Sequence, residues 1–381
     1  MNPMRTLSNL KHSVPLVFEA AQARNLRVLR NLAGPSYRGL VLQQGKHEPE
    51  TAMPVGFDAI FNWTYRRDHA ELAKLYELAK VNQWNGSTLL DWTIDVDPHD
   101  NDRPLLPYKL MPTTALPEWD GLPQREKEIQ RHAIMAWFLS QFLHGEQGAL
   151  LAAAQVVNAV PWVDAKLFGS TQVMDEGRHF EVFYRYLHEK LEKIYPVNDN
   201  LYVILDSLMS DSRWDFKFLG MQIMVEGLAL GAFRLIFDLT EEPLLKKLLE
   251  YVIRDEARHV RYGVLALATY YKNELSEYER IEREDWAFEV SLLMRNRFLA
   301  HEFYDEYYAH KLSRQEWDRF VYRSEMMRHF HKVMFARIVP NLKAIGLLTD
   351  RIRPRYEKID LLKYEAGKSA TQLSDNEVLT D

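Results

Sequence analysis

Asp175-Glu176-Gly177-Arg178-His179 recurs in the chain as Asp255-Glu256-Ala257-Arg258-His259. Glu146, in His144-Gly145-Glu146-Gln147-Gly148-Ala149, stands thirty residues before Glu176. Glu226, in Val225-Glu226-Gly227-Leu228-Ala229, stands thirty before Glu256. A lone glutamate followed by Glu-x-x-His thus occurs twice at one spacing. On a helix, residues three apart share a face, about 5–6 Å between Cβ atoms. Glu176 and His179 can therefore reach one ion, and so can Glu256 and His259. Four carboxylates and two imidazoles are the set with which a four-helix bundle holds two iron or manganese ions.

The spacing allows such a bundle. A helix from Glu146 to about Asn158 rises about 18 Å, and one restarting at Pro161 climbs back about 22 Å to Glu176. From Glu226 to Thr240, and from Glu242 back to Glu256, the rise is about 21 Å each way. Two antiparallel hairpins then bring all six ligands to one level. An isolated Glu-x-x-His is usually a solvated face. Here, however, Leu219 to Leu239 is apolar except for Gln222, Glu226, Arg234 and Asp238, and a carboxylate in such surroundings is costly unless something binds it. Carboxylate and imidazole suit iron, and no thiolate competes because the chain has no cysteine. Asp175 and Asp255 are expected to accept hydrogen bonds from the far nitrogens of the ligand histidines, across the bundle. Arg178 and Arg258 should balance those aspartates.

The rest of the composition sets bounds. The chain has 381 residues, 47% of them hydrophobic and 12% aromatic, enough for a large core. A net charge of −6 gives no reason to expect nucleic-acid binding. The absence of cysteine excludes disulfides and iron–sulfur ligation, and Met1-Asn2-Pro3-Met4-Arg5 has no signal-type apolar run, so a cytoplasmic location is expected. The apolar stretch around Glu226 is long enough to span a membrane, but its interior Glu and Arg and its place in the repeat point to a buried bundle helix, with no membrane partner.

The periodicity and breakers predict an all-α chain. Residues 1–125 read as an irregular wrap with one helix near 68–82, and the prolines between 86 and 125 impose an extended path. Long helices are predicted over 126–158, 161–194, 212–240, 243–272, 276–308 and 313–339, with a shorter one at 199–209. Ser313-Arg314-Gln315-Glu316 has capping-box form. The division is a wrapping segment 1–125, a helical di-iron domain 126–345 and a tail 346–381, polar and mobile from about Glu365.

At these motifs the chain resembles the ferritin-like carboxylate-bridged di-iron proteins, over roughly residues 126–272. Asp-Glu-x-Arg-His twice is most similar to the hydroxylases of multicomponent monooxygenases. Acyl-carrier-protein desaturases, the ribonucleotide reductase small subunit and arylamine N-oxygenases share the wider plan. The resemblance places Glu146, Glu176, His179, Glu226, Glu256 and His259 on the six ligand positions. It implies a ferritin-like four-helix bundle, buttressed by the later helices. The implied activity is that of an O2-activating oxidase or oxygenase with two Fe ions (Fe2+/Fe3+, or an Mn/Fe pair), acting on a small apolar or aromatic organic substrate. With no dinucleotide fingerprint and no cysteine, electrons must come from a separate reductase or ferredoxin; a homodimer stays open. Three departures matter. The reductase's radical tyrosine position is Phe183, the monooxygenases' threonine is Leu230, and the N-oxygenases' extra histidine is Val252. Gly145 and Ala149 flank Glu146 and are small, as in the hydroxylases. With Phe142, Phe183, Leu230 and Phe233 they are the expected pocket lining. A ferroxidase or iron-binding ferritin-like protein and a radical-generating Mn/Fe ligand-binding oxidase are the alternatives.

Overall fold

The computed structural model describes residues 25–46, 49–56, 58–373 and 377. Among them there is no strand, and the architecture is all-α, a four-helix bundle with added helices. Helix α1 is Leu26–Ser36, capped by the Asn25 side chain; α2 is Ala70–Val81; α3 is Gln124–Ala159; α4 is Val163–Tyr186. Helix α5 is Asp199–Ser210, α6 is Trp214–Leu239 and α7 is Pro243–Asn273. Then follow α8, Glu277–Arg297, α9, His301–Tyr307, α10, Arg314–Arg323, and α11, Glu325–Ala344.

Helix ends follow local chemistry. Helix α3 stops at Val160, extended at ψ 137° because Pro161 follows. Pro243 opens α7, where no N–H is needed, and the Glu242 carboxylate accepts from the amides of Leu244 (2.8 Å) and Leu245 (2.7 Å). The capping box at Ser313 and Glu316 is present, and so is one at Ser276 and Glu279.

Two long helices expected from periodicity are each broken. The segment expected as 276–308 turns after Arg297, where Ala300 adopts φ 50°, and the Trp317 indole donates to the Leu299 carbonyl (2.6 Å). Alanine carries no breaker signal, so tertiary contact overrides propensity here. The segment expected as 313–339 breaks at Ser324, whose hydroxyl caps the next helix at Met327 N, and that helix runs on to Ala344. Helix α6 has π-helical geometry over Leu219–Val225, directly before Glu226. Most of its apolar window, 89%, is buried inside the protein, as suits a core helix.

Helices α3, α4, α6 and α7 form the bundle, with α3 packed along α4 and α6 against α7. Helix α11 covers the outer side of α6, and α8 lies against α5. Helix α2 crosses α4 and α7, the two helices that carry Glu-x-x-His. The leading segment is more ordered than expected, since α1 packs on α5 and residues 1–24 lie outside the described part. One core cluster runs from Val28 to Leu373. The tail expected to be mobile from Glu365 is instead anchored as far as Leu373. Arg261 donates to the carbonyls of Ala370 and Leu373, and the Ala370 amide donates to Asn341 Oδ1 at 2.8 Å.

Candidate di-metal site

Each bundle helix delivers its ligand residues to the same level. Glu146 comes from α3, Glu176 and His179 from α4, Glu226 from α6, and Glu256 and His259 from α7. All six are buried; Glu146, the most exposed, shows 5% of its surface. Their ligand atoms fall into two groups, each spanning no more than 4.8 Å. One is Glu146, Glu176, His179 and Glu256; the other is Glu176, Glu226 and His259. Both imidazoles turn Nδ1 inward. His179 Nδ1 lies 3.1 Å from Glu256, 3.4 Å from Glu146 and 3.5 Å from Glu176. His259 Nδ1 lies 3.0 Å from Glu176 and 3.7 Å from Glu256.

The outward Nε2 atoms meet aspartates on the opposite hairpin: His179 with Asp255 at 3.1 Å, and His259 with Asp175 at 3.2 Å. Arg178 donates to Asp175 and, at 3.1 Å, to Asp255. Arg258 donates to Asp255 and stands 3.7 Å from Asp175. The second layer is thus a closed ring of two aspartates, two arginines and two histidines, and it fixes each imidazole with Nδ1 free to face the centre.

Four residues of the site were not singled out by the sequence. The Trp84 indole donates to Asp255 (2.7 Å) and stacks on Tyr251, with ring centroids 4.8 Å apart. Gln83 donates to Asp175 (2.9 Å) and accepts from Arg178 (2.9 Å). Both arrive from the turn after α2, remote in sequence, with no spacing to betray them. Gln172 and Gln222 stand one helical turn before Glu176 and Glu226, and are fully buried. That i−4 relation was visible in the sequence. Gln172 Nε2 donates to Glu176 Oε1 (3.0 Å) and Glu226 Oε1 (2.9 Å), and Gln222 Nε2 donates to Gln172 Oε1 (3.2 Å).

Burial and then the neighbouring carboxylates push Glu146 and Glu226 well above the usual carboxylate range. Burial also acts on Glu176, but the two imidazoles outweigh it and hold that carboxyl far below the range. Burial would keep both histidines neutral; the surrounding carboxylates overcome it and raise them. In the metal-free protein these groups neutralise one another only in part. Glu176 Oε2, Glu226 Oε2, both oxygens of Glu256 and the Nδ1 atoms of His179 and His259 are buried without a hydrogen-bond partner. Six orphaned donor atoms around one centre are what metal ions would satisfy, since isolated buried polar groups are costly. The residues fit a pair of ions with oxygen and nitrogen ligands.

The expected pocket residues separate into two ends. Phe142, Phe183 and Phe233 are buried and pack on one another, with centroids 4.6–6.0 Å apart. With Leu230 they lie toward the N-terminal half of α3. Ala149, also buried, lies on the side of Gln172 and Gln222. Gly145 is half-buried, and a Cβ there would meet nothing within 4 Å. His144 turns away and bonds the Tyr195 carbonyl (2.8 Å), while His301 pairs with Asp318 (2.7 Å).

No family profile and no curated protein matches the chain. Among solved structures it is similar to R2-like ligand-binding oxidases with reconstituted Mn/Fe cofactors. Two point mutants, anaerobically reconstituted, give TM-scores of 0.46 and 0.45 at 19% and 18% identity, each covering 75% of this chain and 98% of the other. An aerobically reconstituted protein gives 0.44 at 18% identity, covering 75% and 97%. Likeness at this level carries nothing about this chain's metals or substrate.

Proposed function

We propose that the protein is an O2-activating di-metal oxidoreductase that oxidises a small apolar or aromatic organic substrate with electrons from a separate donor. The observation that carries this is the set of six orphaned ligand atoms in a buried bundle centre. Glu146, Glu176, His179 and Glu256 would hold one ion, and Glu176, Glu226 and His259 the other. The donor set suits two iron ions or one iron with one manganese. When bound, the metals supply the redox chemistry with dioxygen.

The chain's own part is binding, orientation and water exclusion. The aspartate–arginine ring holds the two imidazoles. Phe142, Phe183, Leu230 and Phe233 keep one end of the centre apolar, and the glutamines make the other end polar. Glu146 and Glu226, whose burial favours the protonated acid, give up protons when ions enter.

The test is a single turnover. Protein loaded with ferrous iron is exposed to oxygen with and without a panel of apolar and aromatic compounds, and oxygen uptake and products are measured. One oxidised product per two metals supports the reading. Oxygen uptake that ends only in iron stored beyond two ions per chain would establish a ferroxidase instead. Ala149→Phe should block product while both metals stay bound. Ala309→Phe, at an exposed position outside the bundle, should not.

A further inference from the structure

We propose that Gln172 is a seventh metal ligand, its amide oxygen completing the ion position formed by Glu176, Glu226 and His259. The inference rests on the di-metal reading above and extends it to a residue outside the repeated motif.

The two ion positions are unequal. The first gathers four protein residues at close range and the second three, with Glu256 standing farther off, 3.7 Å from His259 Nδ1. Gln172 occupies the gap. Its amide head sits between the two carboxylates of the second position, with Nε2 at 2.9 Å from Glu226 Oε1 and 3.0 Å from Glu176 Oε1. Once an ion lies between these carboxylates, the amide hydrogens would face positive charge. The two ends of an amide are nearly the same size. Rotation about Cγ–Cδ therefore puts Oε1 where Nε2 now stands and turns an unfavourable neighbour into a neutral oxygen ligand.

Gln222 makes the rotation inexpensive. At present its Nε2 donates to Gln172 Oε1 (3.2 Å), while its own Oε1 is buried with no partner. Among the described residues no other hydrogen bond holds the Gln222 amide in its present sense. If it counter-rotates, its Oε1 accepts from Gln172 Nε2, and the bond between the two side chains is kept with its direction reversed. The surroundings accommodate this pair specifically. Gly263 of α7 faces Gln222, and a Cβ at that glycine would come within 2.6 Å of the Gln222 Cβ. The π-helical stretch Leu219–Val225 carries Gln222 into the turn just ahead of Glu226. Neither glutamine has a counterpart on the other ligand helices, where Phe142 and Val252 hold the corresponding positions before Glu146 and Glu256.

The experiment is anaerobic titration of the full chain with Mn(II) and Fe(II), following stoichiometry and the affinity of each ion, with the Mn(II) electron paramagnetic resonance signal as a second readout. Wild type should take two ions. Gln172→Leu should keep the first ion unchanged and weaken the second at least about tenfold. Gln172→Glu, which always presents an oxygen, should hold the second ion as tightly as wild type or more so. Gln222→Leu should weaken it only a few-fold. If Gln172→Leu does not fold, Gln172→Asn, which retracts the amide, carries the same expectation for the second ion. Equal binding of both ions by wild type and Gln172→Leu (or Gln172→Asn) overturns the proposal. Weaker second-ion binding in Gln172→Glu also overturns it, because that pattern belongs to a hydrogen-bond donor. Wild type taking fewer than two ions would instead overturn the di-metal reading beneath it.

Discussion

The two ligand hairpins carry the same motif at the same spacing, yet they are built differently. In α3 and α4 the helices run as regular α-helix through Glu146, Glu176 and His179. In α6 the backbone widens to π geometry just before Glu226, and Gln222 stands one turn before that glutamate where α3 has Phe142 before Glu146. The aspartates differ too. Asp255 of the second hairpin receives Trp84, whereas Asp175 of the first receives Gln83. Sequence repetition thus supplies the ligands twice, and residues outside the repeat make the two ion positions unequal. A π stretch at such a place is a frequent mark of a functional site.

The largest expected effect separates the shared ligand from an unshared one. Glu176 belongs to both ligand groups and Glu226 to one. Glu176→Ala should lose nearly all bound metal, while Glu226→Ala should keep close to one ion per chain. Elemental analysis of both variants after identical loading decides this, and equal losses would erase the distinction between the positions.

The aspartates come next. Asp175→Asn and Asp255→Asn should each weaken metal binding about 10–100-fold. Asp255→Asn should be the more severe, since Asp255 meets four groups at hydrogen-bond distance, Trp84, Arg178, His179 and Arg258, and Asp175 only three, Gln83, Arg178 and His259. Competition against a chelator measures both. Near-wild-type affinity in both variants would mean that the aspartate–histidine bonds do not orient the ligands.

A pH series probes the centre without mutation. In the metal-free fold Glu146 and Glu226 are raised from 4.5, and His179 and His259 from 6.5. Groups raised by folding contribute stability below their unfolded values, and that contribution is lost as pH rises through the folded ones. Glu176 and Asp255 are depressed, so their contribution is lost only in acid. As pH rises above 6.5, the ordinary histidine value, the raised groups should therefore lower the melting temperature of the metal-free protein. Metal-loaded protein, with its ligands already deprotonated, should change little. Differential scanning fluorimetry should show the gap between the two widening with pH; a constant gap would argue against this protonation pattern.

The smallest effects concern glycines, one per hairpin. Helix α6 meets α11 at Gly231, where a Cβ would lie 2.8 Å from the Val333 carbonyl oxygen and 3.1 Å from Met334 Cα. Because those atoms are backbone, Gly231→Ala should cost about 1–3 kcal/mol. Gly145 has free space, so Gly145→Ala should stabilise the helix by up to about 1 kcal/mol. Opposite shifts in chemical denaturation are expected, and shifts of one sign would mean that helix packing around the hairpins is more alike than it looks.

Helix existence and ligand convergence were legible in the sequence because both obey the 3.6-residue period. The Glu-x-x-His pairs, the stops at Pro161 and Pro243 and the box at Ser313 all act within one or two turns. What was not legible depends on contacts between distant segments. Ala300 is driven left-handed by packing, and the π register in Leu219–Val225 is invisible where nearly every residue is apolar. Helix α1 was hidden by Pro35 inside it. Trp84 and Gln83 reach the aspartates only because α2 lies across α4 and α7. The expected pocket shows the same limit. Helical spacing identified the inward faces, but the division into a phenylalanine end and a glutamine end came from the antiparallel packing.

The central claim is that the repeated motif holds two ions in one buried centre, and the metal content of the wild-type protein tests it most directly. Protein produced with ample iron and manganese, purified without chelators and analysed by plasma mass spectrometry against its amino-acid content, should carry close to two ions per chain, as iron alone or iron with manganese. One ion per chain, or zinc alone after iron-replete production, would contradict it.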